Sequence, residues 1–435
     1  MKATNDGVDG DDLGHVHDLV GVGFGPANLA LAIAIEENAP SLDAVFVERQ
    51  HHFHWHPGML LDGARMQVAF PKDLATFRNP TSSYSFFNYL FEHGRLVDFV
   101  NHQTFFPTRH EFNHYLTWAA ERVAADVRYA TEVVDVTAVD GGNLLRVRCD
   151  DGTTLLARNI VVGAGLRERI PSWAERSDRV FHNHGFLRHL ESMPPQAHGR
   201  FVVLGAGQSA AEVVQYLHSR YPDSEVHSVF SRYGYSPADN SPYANRIFDP
   251  GTVDELHRAP DQERARLLDL HRNTNYSVVD IDLINELYET EYCERVRGVR
   301  RLFMRRASEI DSVVDTPQGV TVTVRDRIDD HLTTLECDAL VLATGFAAAP
   351  LRPLLGALAP SDGARPPVTR DYRLVTDPAV SAGIYLQGGT EATHGVTSSL
   401  LSNVAVRAGE ILESLLTRTP AGHRRTELTG SVLQS

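Results

Sequence analysis

Residues 17–37, HDLVGVGFGPANLALAIAIEE, leave a chain few ways to fold. A short apolar run breaks into Gly21, Gly23 and Gly25 and resumes as an Ala/Leu/Ile-rich segment, which reads as strand, tight turn and helix. In such a unit Gly21 permits the turn and Gly23 lets the backbone approach a pyrophosphate. The helix N-terminus adds free N–H groups and partial positive charge. Pro26 stands where the third glycine of G-x-G-x-x-G belongs. It is tolerated there because a first-turn N–H has no helical partner to lose. A second strand, AVFVER at 44–49, brings Glu48 to the place where a carboxylate meets adenosine ribose hydroxyls. This unit reads as the site of a dinucleotide, FAD.

The same grammar returns in RFVVLGAGQSAAEVVQYLHSR, residues 200–220, with Gly205, Gly207, Gln208 and Ser209 at the turn. Its second strand, EVHSVFSR at 225–232, ends in Arg232 instead of an acid. A guanidinium there pairs with a 2′-phosphate that a carboxylate would repel, so the second dinucleotide reads as NADPH. NIVVGAGL (159–166), between the units, and DALVLATGF (338–346), closing the second, supply further strand ends. The expected fold class is therefore α/β, with two Rossmann-like dinucleotide-binding domains and a small substrate-binding region between them. The expected divisions are a leader at 1–14, a first domain at 15–195, a second domain at 196–337 carrying substrate segments at 239–280, a return to the first at 338–416, and a mobile tail at 417–435.

Two dinucleotides on one chain imply hydride transfer from NADPH to a flavin. Cys149, Cys293 and Cys337 form no C-x-x-C or C-x4-C pair, which removes disulfide reduction and leaves oxygen activation. A formal net charge of −15 disfavours nucleic acid and anionic membranes as partners. No stretch suggests a secretory signal or a membrane span, so a reducing cytoplasm is the expected compartment.

Longer strings carry a specific resemblance: GVGFGPANLALA, WHPGMLL (55–61), MQVAFPKDLATFRNPTS (66–82), FFPTRHEFNHYL (105–116), GAGQSAAEV (205–213), DNSPYANRIFDP (239–250), NTNYSVVD (273–280) and HGVTSSLLSNVAVRAGEIL (394–412). The chain resembles the microbial N-hydroxylating flavin monooxygenases of siderophore biosynthesis over residues 16–415, most closely the L-ornithine N5-monooxygenases. The resemblance implies that Gln67 lies at the reactive edge of the flavin, with Trp55 and His56 lining its ring. It implies that Lys72 and Asn245 hold the substrate carboxylate, and that Asn275, with Ser402 nearby, contacts the amino-acid end or steers the side-chain amine. Gln208, Ser209 and Arg109 would contact NADPH. A flavin–oxygen adduct would then hydroxylate the side-chain amine of L-ornithine, with L-lysine or a diamine as alternative substrates. The family also implies a homo-oligomer, a tetramer.

Physical chemistry supports these roles independently. Such an adduct is short-lived in water, so the site must exclude solvent, and an amide such as Gln67 can donate a hydrogen bond without acting as an acid. A fixed cation for the carboxylate sets the chain length accepted at the other end. Of the four histidines His51, His52, His54 and His56, alternate strand positions would put His52, His54 and His56 on one face, but with no carboxylate or cysteine beside them a metal is not expected there. Tyr84, Phe86, Phe87, Tyr89 and Phe91 read as core, and His114 and His394 as packing residues. Two departures from the family pattern stand out: Phe346, where relatives carry Tyr or His, and Pro71, just before Lys72.

Overall fold

The computed structural model describes residues 14–194, 199–361 and 365–418. The first sheet is built from β1 (Val16–Val22), β2 (Ala44–Val47), β3 (Asp126–Arg128), β4 (Val133–Val139), β5 (Leu144–Cys149) and β6 (Thr154–Val162), in the order β3-β2-β1-β6-β5-β4. β1 lies parallel to both β2 and β6, so its side chains are covered on both faces and Leu19 and Val20 are fully buried. After β7 (Leu166–Glu168) the chain enters a second sheet through β8 (Val180–His182), β9 (Arg200–Leu204), β10 (Glu225–Val229) and β11 (Leu302–Arg305). An antiparallel sheet follows, from β12 (Ser308–Thr316), β13 (Gly319–Asp326) and β14 (Leu332–Cys337). β15 (Ala339–Leu342) then slots between β9 and β8, giving the order β11-β10-β9-β15-β8. β16 (Phe346–Ala348) pairs antiparallel with β7, and β17 (Gly383–Leu386) lies parallel to β6 in the first sheet. The two long connections between the sheets therefore run side by side as β7 and β16.

Five helices matter for the site: α1 (Pro26–Asn38), α2 (Arg109–Arg122), α3 (Gln208–Arg220), α4 (Ile281–Arg297) and α5 (Val404–Arg418). Helix α1 is apolar almost all round, and it is buried because α5 covers the side that the sheet does not. Among the described residues no helix is long and apolar enough to cross a membrane.

Several expected boundaries shift. Both β8 and β15 belong to the second sheet, so neither 195/196 nor 337/338 divides the units. A strand end reads the same whichever sheet receives it, and only pairing assigns it. Residues 417 and 418 continue α5, whose buried Ile411, Leu412 and Leu415 extend the helical period. Of the expected leader and tail, 1–13 and 419–435 lie outside the described residues. In the aromatic stripe Tyr84, Phe86 and Tyr89 are buried, whereas Phe87 and Phe91 are exposed, because Phe86–Glu92 is a surface helix with one inward face.

Candidate functional site

The first glycine turn leaves β1 and enters α1 with no room for side chains. Gly23 has φ +82°, and a Cβ there would meet Gly163 O at 2.7 Å; a Cβ on Gly21 would strike the Phe46 ring at 2.2 Å. Gly25 is the N-cap of α1 and faces open space, and Pro26 opens the helix without a side-chain cap or an acid in the first turn. The unpaired N–H groups are thus left for an anion. Glu48 is held at the mouth of this turn: Phe24 N–H donates to its Oε2 at 2.7 Å and Gln50 N–H to its Oε1 at 2.9 Å. A carboxylate accepts about four hydrogen bonds, so capacity remains for ribose hydroxyls. A cleft of about 240 Å³ opens at the C-terminal ends of β6 and β17, where Val162, Gly165, Leu386 and Gly389 line it. Ligands of parallel sheets bind at that end. Backbone, acid and cleft fit a flavin dinucleotide.

Residues outside the glycine motif brace this turn. Asn28, fully buried, donates from Nδ2 to Val22 O at 3.2 Å and to Gly23 O at 2.7 Å. Gln387 Nε2 donates to Ala27 O at 3.0 Å, and buried Arg407 donates from Nε to Gln387 Oε1 at 3.1 Å. The segment 387–407 is thereby fastened to the turn. A buried amide inside an apolar helix was the available signal for Asn28; Gln387 and Arg407 had none beyond lying in or beside a long string.

At the second turn Gly205 has φ +150°, and a Cβ there would meet Ala343 O at 2.3 Å. Gly207 caps α3, again without a side-chain cap. Gln208 and Arg109 are brought together, but through a residue not foreseen. Arg109 Nη2 lies 2.8 Å from Glu212 Oε2, Gln208 Nε2 donates to Glu212 Oε1 at 2.9 Å, and Gln208 Oε1 accepts from Asp280 N–H at 2.7 Å. Glu212 is 4% exposed; burial raises its pKa, opposed by Arg109. The ion pair locks α2 of the first unit onto the helix that opens the second turn. Ser209 sits half-buried in that helix's first turn. Arg232 is exposed beyond β10, and its Nη1 donates to Ser277 O at 2.9 Å and Ser236 Oγ at 3.1 Å. Ser277 is also the residue nearest to a Cβ on Gly207, at 3.5 Å, so Arg232 stands across the mouth of this turn. The open helix end and flanking guanidinium fit NADPH.

Lys72 is half-buried with its Nζ 5.5 Å from the Phe248 ring centroid. Burial lowers its pKa and Asp249 opposes this; among the described residues its ammonium has no ion pair within 4 Å. Phe248 ends the 3₁₀ turn Ala244–Phe248 that carries Asn245, whose Nδ2 donates to Asn240 O at 3.1 Å. Asn403 Nδ2 donates to Phe248 O at 3.1 Å, which draws in Ser402, 3% exposed. The hydroxyls of Ser402, Ser398 and Thr390 are buried without a hydrogen-bond partner among the described residues. Asn275 ends the turn Arg272–Thr274, which is joined to the 239 segment by Asp239 N–H donating to Asn273 O at 3.1 Å. Phe248 therefore gathers Lys72, the Asn245 turn and the Ser402 turn, while Asn275 joins them through the backbone.

Met66 is buried, with its N–H donating to Pro107 O at 2.9 Å, and Gln67 is exposed beside it. Trp55 packs against Phe112 (5.9 Å) and His56 (5.1 Å). His56 has φ +48°, and burial beside His184 and Arg109 pushes its pKa down to about 4. The run 51–56 is irregular, not a strand, so the expected shared histidine face does not form: the His52 and His54 rings meet outside, tilted, at 3.8 Å while His56 turns inward. Phe346 fills the space among His56 (6.1 Å), His182 (5.0 Å) and His184 (5.7 Å), an apolar ring where a hydroxyl or imidazole was the family pattern. Buried His394 bonds Arg370 O at 3.1 Å and Thr393 Oγ1 at 2.8 Å, a packing residue as expected.

Residues 15–348 match the family model for L-lysine 6-monooxygenase/L-ornithine 5-monooxygenase. The L-ornithine N(5)-monooxygenase of Pseudomonas aeruginosa is 41% identical over 415 residues, covering 92% of this chain and 94% of that protein. The ornithine N-hydroxylase of Kutzneria sp. 744, solved with reduced FAD, NADP+ and L-ornithine, superposes with a TM-score of 0.90 at 44% identity, covering 93% of this chain and 100% of that one. The L-lysine 6-monooxygenase of Pseudomonas syringae gives a TM-score of 0.81 at 34% identity, with 93% and 100% covered. With two glycine turns that each open a helix, and relatives of this similarity along nearly its whole length, the chain belongs to the L-lysine 6-monooxygenase/L-ornithine 5-monooxygenase family.

Proposed function

We propose that this protein is a flavin-dependent monooxygenase that uses NADPH and O2 to hydroxylate N5 of L-ornithine. Lys72 is the observation that carries the substrate: an ammonium partly stripped of water, resting on Phe248 with no ion pair among the described residues. Such a group is completed by a carboxylate. FAD held at the first turn and NADPH held at the second would supply the oxygen-activating redox chemistry.

The chain's own residues then bind and orient. Lys72 and Asn245 hold the α-carboxylate, and Asn275 and the unsatisfied Ser402 hydroxyl are placed for the polar groups of the amino acid. Gln67, exposed in the described structure, offers an amide to the reacting edge. His56 stays neutral near pH 7 because burial disfavours its charged form, so it contributes no acid that would protonate the reacting centre. No protein nucleophile is needed, since the attacking group is the substrate amine in its neutral form. Arg232 takes the 2′-phosphate, and the Arg109–Glu212 pair keeps the two units in register.

A diamine has no carboxylate for Lys72 and would place a second cation beside it. L-Lysine carries one more methylene, and with Lys72 fixed its amine would overshoot the reacting position. For the assembly we propose a tetramer; Tyr288, Tyr292 and Val296 form an exposed apolar row on α4 suited to burial between copies. The test of the activity supplies NADPH, O2 and L-ornithine, L-lysine or putrescine, and measures hydroxylamine product separately from hydrogen peroxide. Hydroxylamine from ornithine in preference to the others is expected. Peroxide without hydroxylamine from any amine would reduce the protein to an NADPH oxidase.

A further inference from the structure

We propose that His15, His17 and Asp43 form a binding site for a divalent transition ion of the Zn2+, Ni2+ and Co2+ class, at the far end of β1 from the glycine turn. His15 and His17 lie two residues apart where β1 begins, so the strand period sends both imidazoles to one face. Their rings are 4.5 Å apart and nearly perpendicular. His15 Nε2 lies 2.6 Å from Asp43 Oδ2 and His17 Nδ1 lies 3.1 Å from Asp43 Oδ1. One donor atom from each residue falls within 4.8 Å of the others.

Two features make this more than a surface ion pair. First, the donors are held by the fold. Asp43 O accepts from Asp18 N–H at 3.0 Å and Leu19 N–H at 3.1 Å, and Asp43 N–H donates to Asp18 Oδ2 at 3.3 Å, so the carboxylate is carried by backbone pinned to β1. His17 is only 7% exposed, which restricts its ring to few rotamers. Second, the spacing suits an ion. Ligands bonded at ~2.0–2.1 Å around a tetrahedral metal stand roughly 3.3 Å apart. The His17–Asp43 separation is already close to that. The shorter His15 contact opens by rotation of an exposed side chain, 69% accessible.

The donor set decides the ion. Two imidazole nitrogens and one carboxylate oxygen suit Zn2+, Ni2+, Co2+ or Cu2+ and not Mg2+ or Ca2+, which take oxygen shells. The remaining position faces solvent through His15 and Asp43 and would hold water. Four residue steps along the strand, roughly 13 Å at ~3.3 Å each, separate His17 from Gly21, so the ion is structural. It would staple the start of β1 to the turn entering β2. The histidines at 51–54 are the internal comparison, since they form no such group with a carboxylate among the described residues.

The test titrates Zn2+ into the flavin-loaded full chain, stripped beforehand with a chelator, by calorimetry. One saturable site is expected, weakened about tenfold or more by His15→Ala and by Asp43→Asn, and unchanged by the double variant His52→Ala/His54→Ala. Both single substitutions fall on accessible side chains, and retained flavin absorbance verifies folding. Co2+ provides a second measurement: its ligand-field bands, to the red of the flavin, should appear in the parent chain and vanish in His15→Ala. Absence of saturable binding, binding that survives both single substitutions, or binding lost with His52 and His54 would each overturn the assignment.

Discussion

Replacing Lys72 with methionine keeps most of its length and removes its charge, and so isolates what the ammonium does. In the free protein it makes one cation–π contact, with Phe248 at 5.5 Å, and no ion pair among the described residues. Loss of that contact costs about 0.5–1 kcal/mol, offset by the desolvation that Lys72 no longer suffers, so Tm should barely move. Binding is another matter. A hydrogen bond to a charged partner contributes about 1.5–3 kcal/mol net. At ~1.4 kcal/mol per factor of ten, the ornithine KM should rise about 10- to 150-fold. Burial holds the Lys72 pKa below the ordinary lysine value. The parent enzyme should therefore lose ornithine affinity as pH rises through that lowered value, and Lys72→Met should not show this loss. The assay is hydroxylamine formation against ornithine concentration, with NADPH oxidation followed in parallel and putrescine as the substrate without a carboxylate. An unchanged ornithine KM, or an equal loss on putrescine, would remove Lys72 from the carboxylate.

Arg232→Ala should raise the KM for NADPH about tenfold or more and leave that for NADH almost unchanged; equal effects would refute the 2′-phosphate role. Arg109→Ala strands Glu212, 5% exposed at its side chain, and should cost about 3 kcal/mol of stability in denaturant unfolding at neutral pH. The Glu212 pKa is raised in the folded state, so folding is favoured at acid pH and that advantage is lost as pH rises through the folded value. With Arg109 gone the raised pKa rises further, and the variant should recover stability on acidification; a pH-independent deficit would contradict this. His227 and His394 are buried with pKa values pushed down to about 4, burial being the largest cause for each. Unfolded histidines take up protons from about pH 6.5 downward, so stability should fall by up to about 1.4 kcal/mol per pH unit per group between there and pH 4. Replacement of His394 by Asn should flatten that slope in a Tm–pH series.

Both dinucleotide turns were legible in the sequence because their chemistry is local. A glycine that must adopt positive φ, a helix that opens three residues later and an acid or arginine at the next strand end all lie within about thirty residues. Gly23, Gly205, Glu48 and Arg232 could be located on that basis. The string around Lys72 was legible only by resemblance, since a lone lysine in a loop has no periodicity to mark it.

Long-range pairing was not legible. β8 joined the second sheet, Glu212 came between Arg109 and Gln208, and Phe248 gathered Lys72 with the Asn245 and Ser402 turns. None of these contacts leaves a period or a spacing in the chain, because each depends on where two distant segments are carried by the sheets. The sequence by itself determined that this protein builds two anion-binding turns, since backbone conformation and helix ends follow from neighbouring residues. Only the tertiary structure decided what stands between those turns. Burial and pairing across hundreds of residues lower the Lys72 pKa, keep His56 neutral and supply the partner of Glu212.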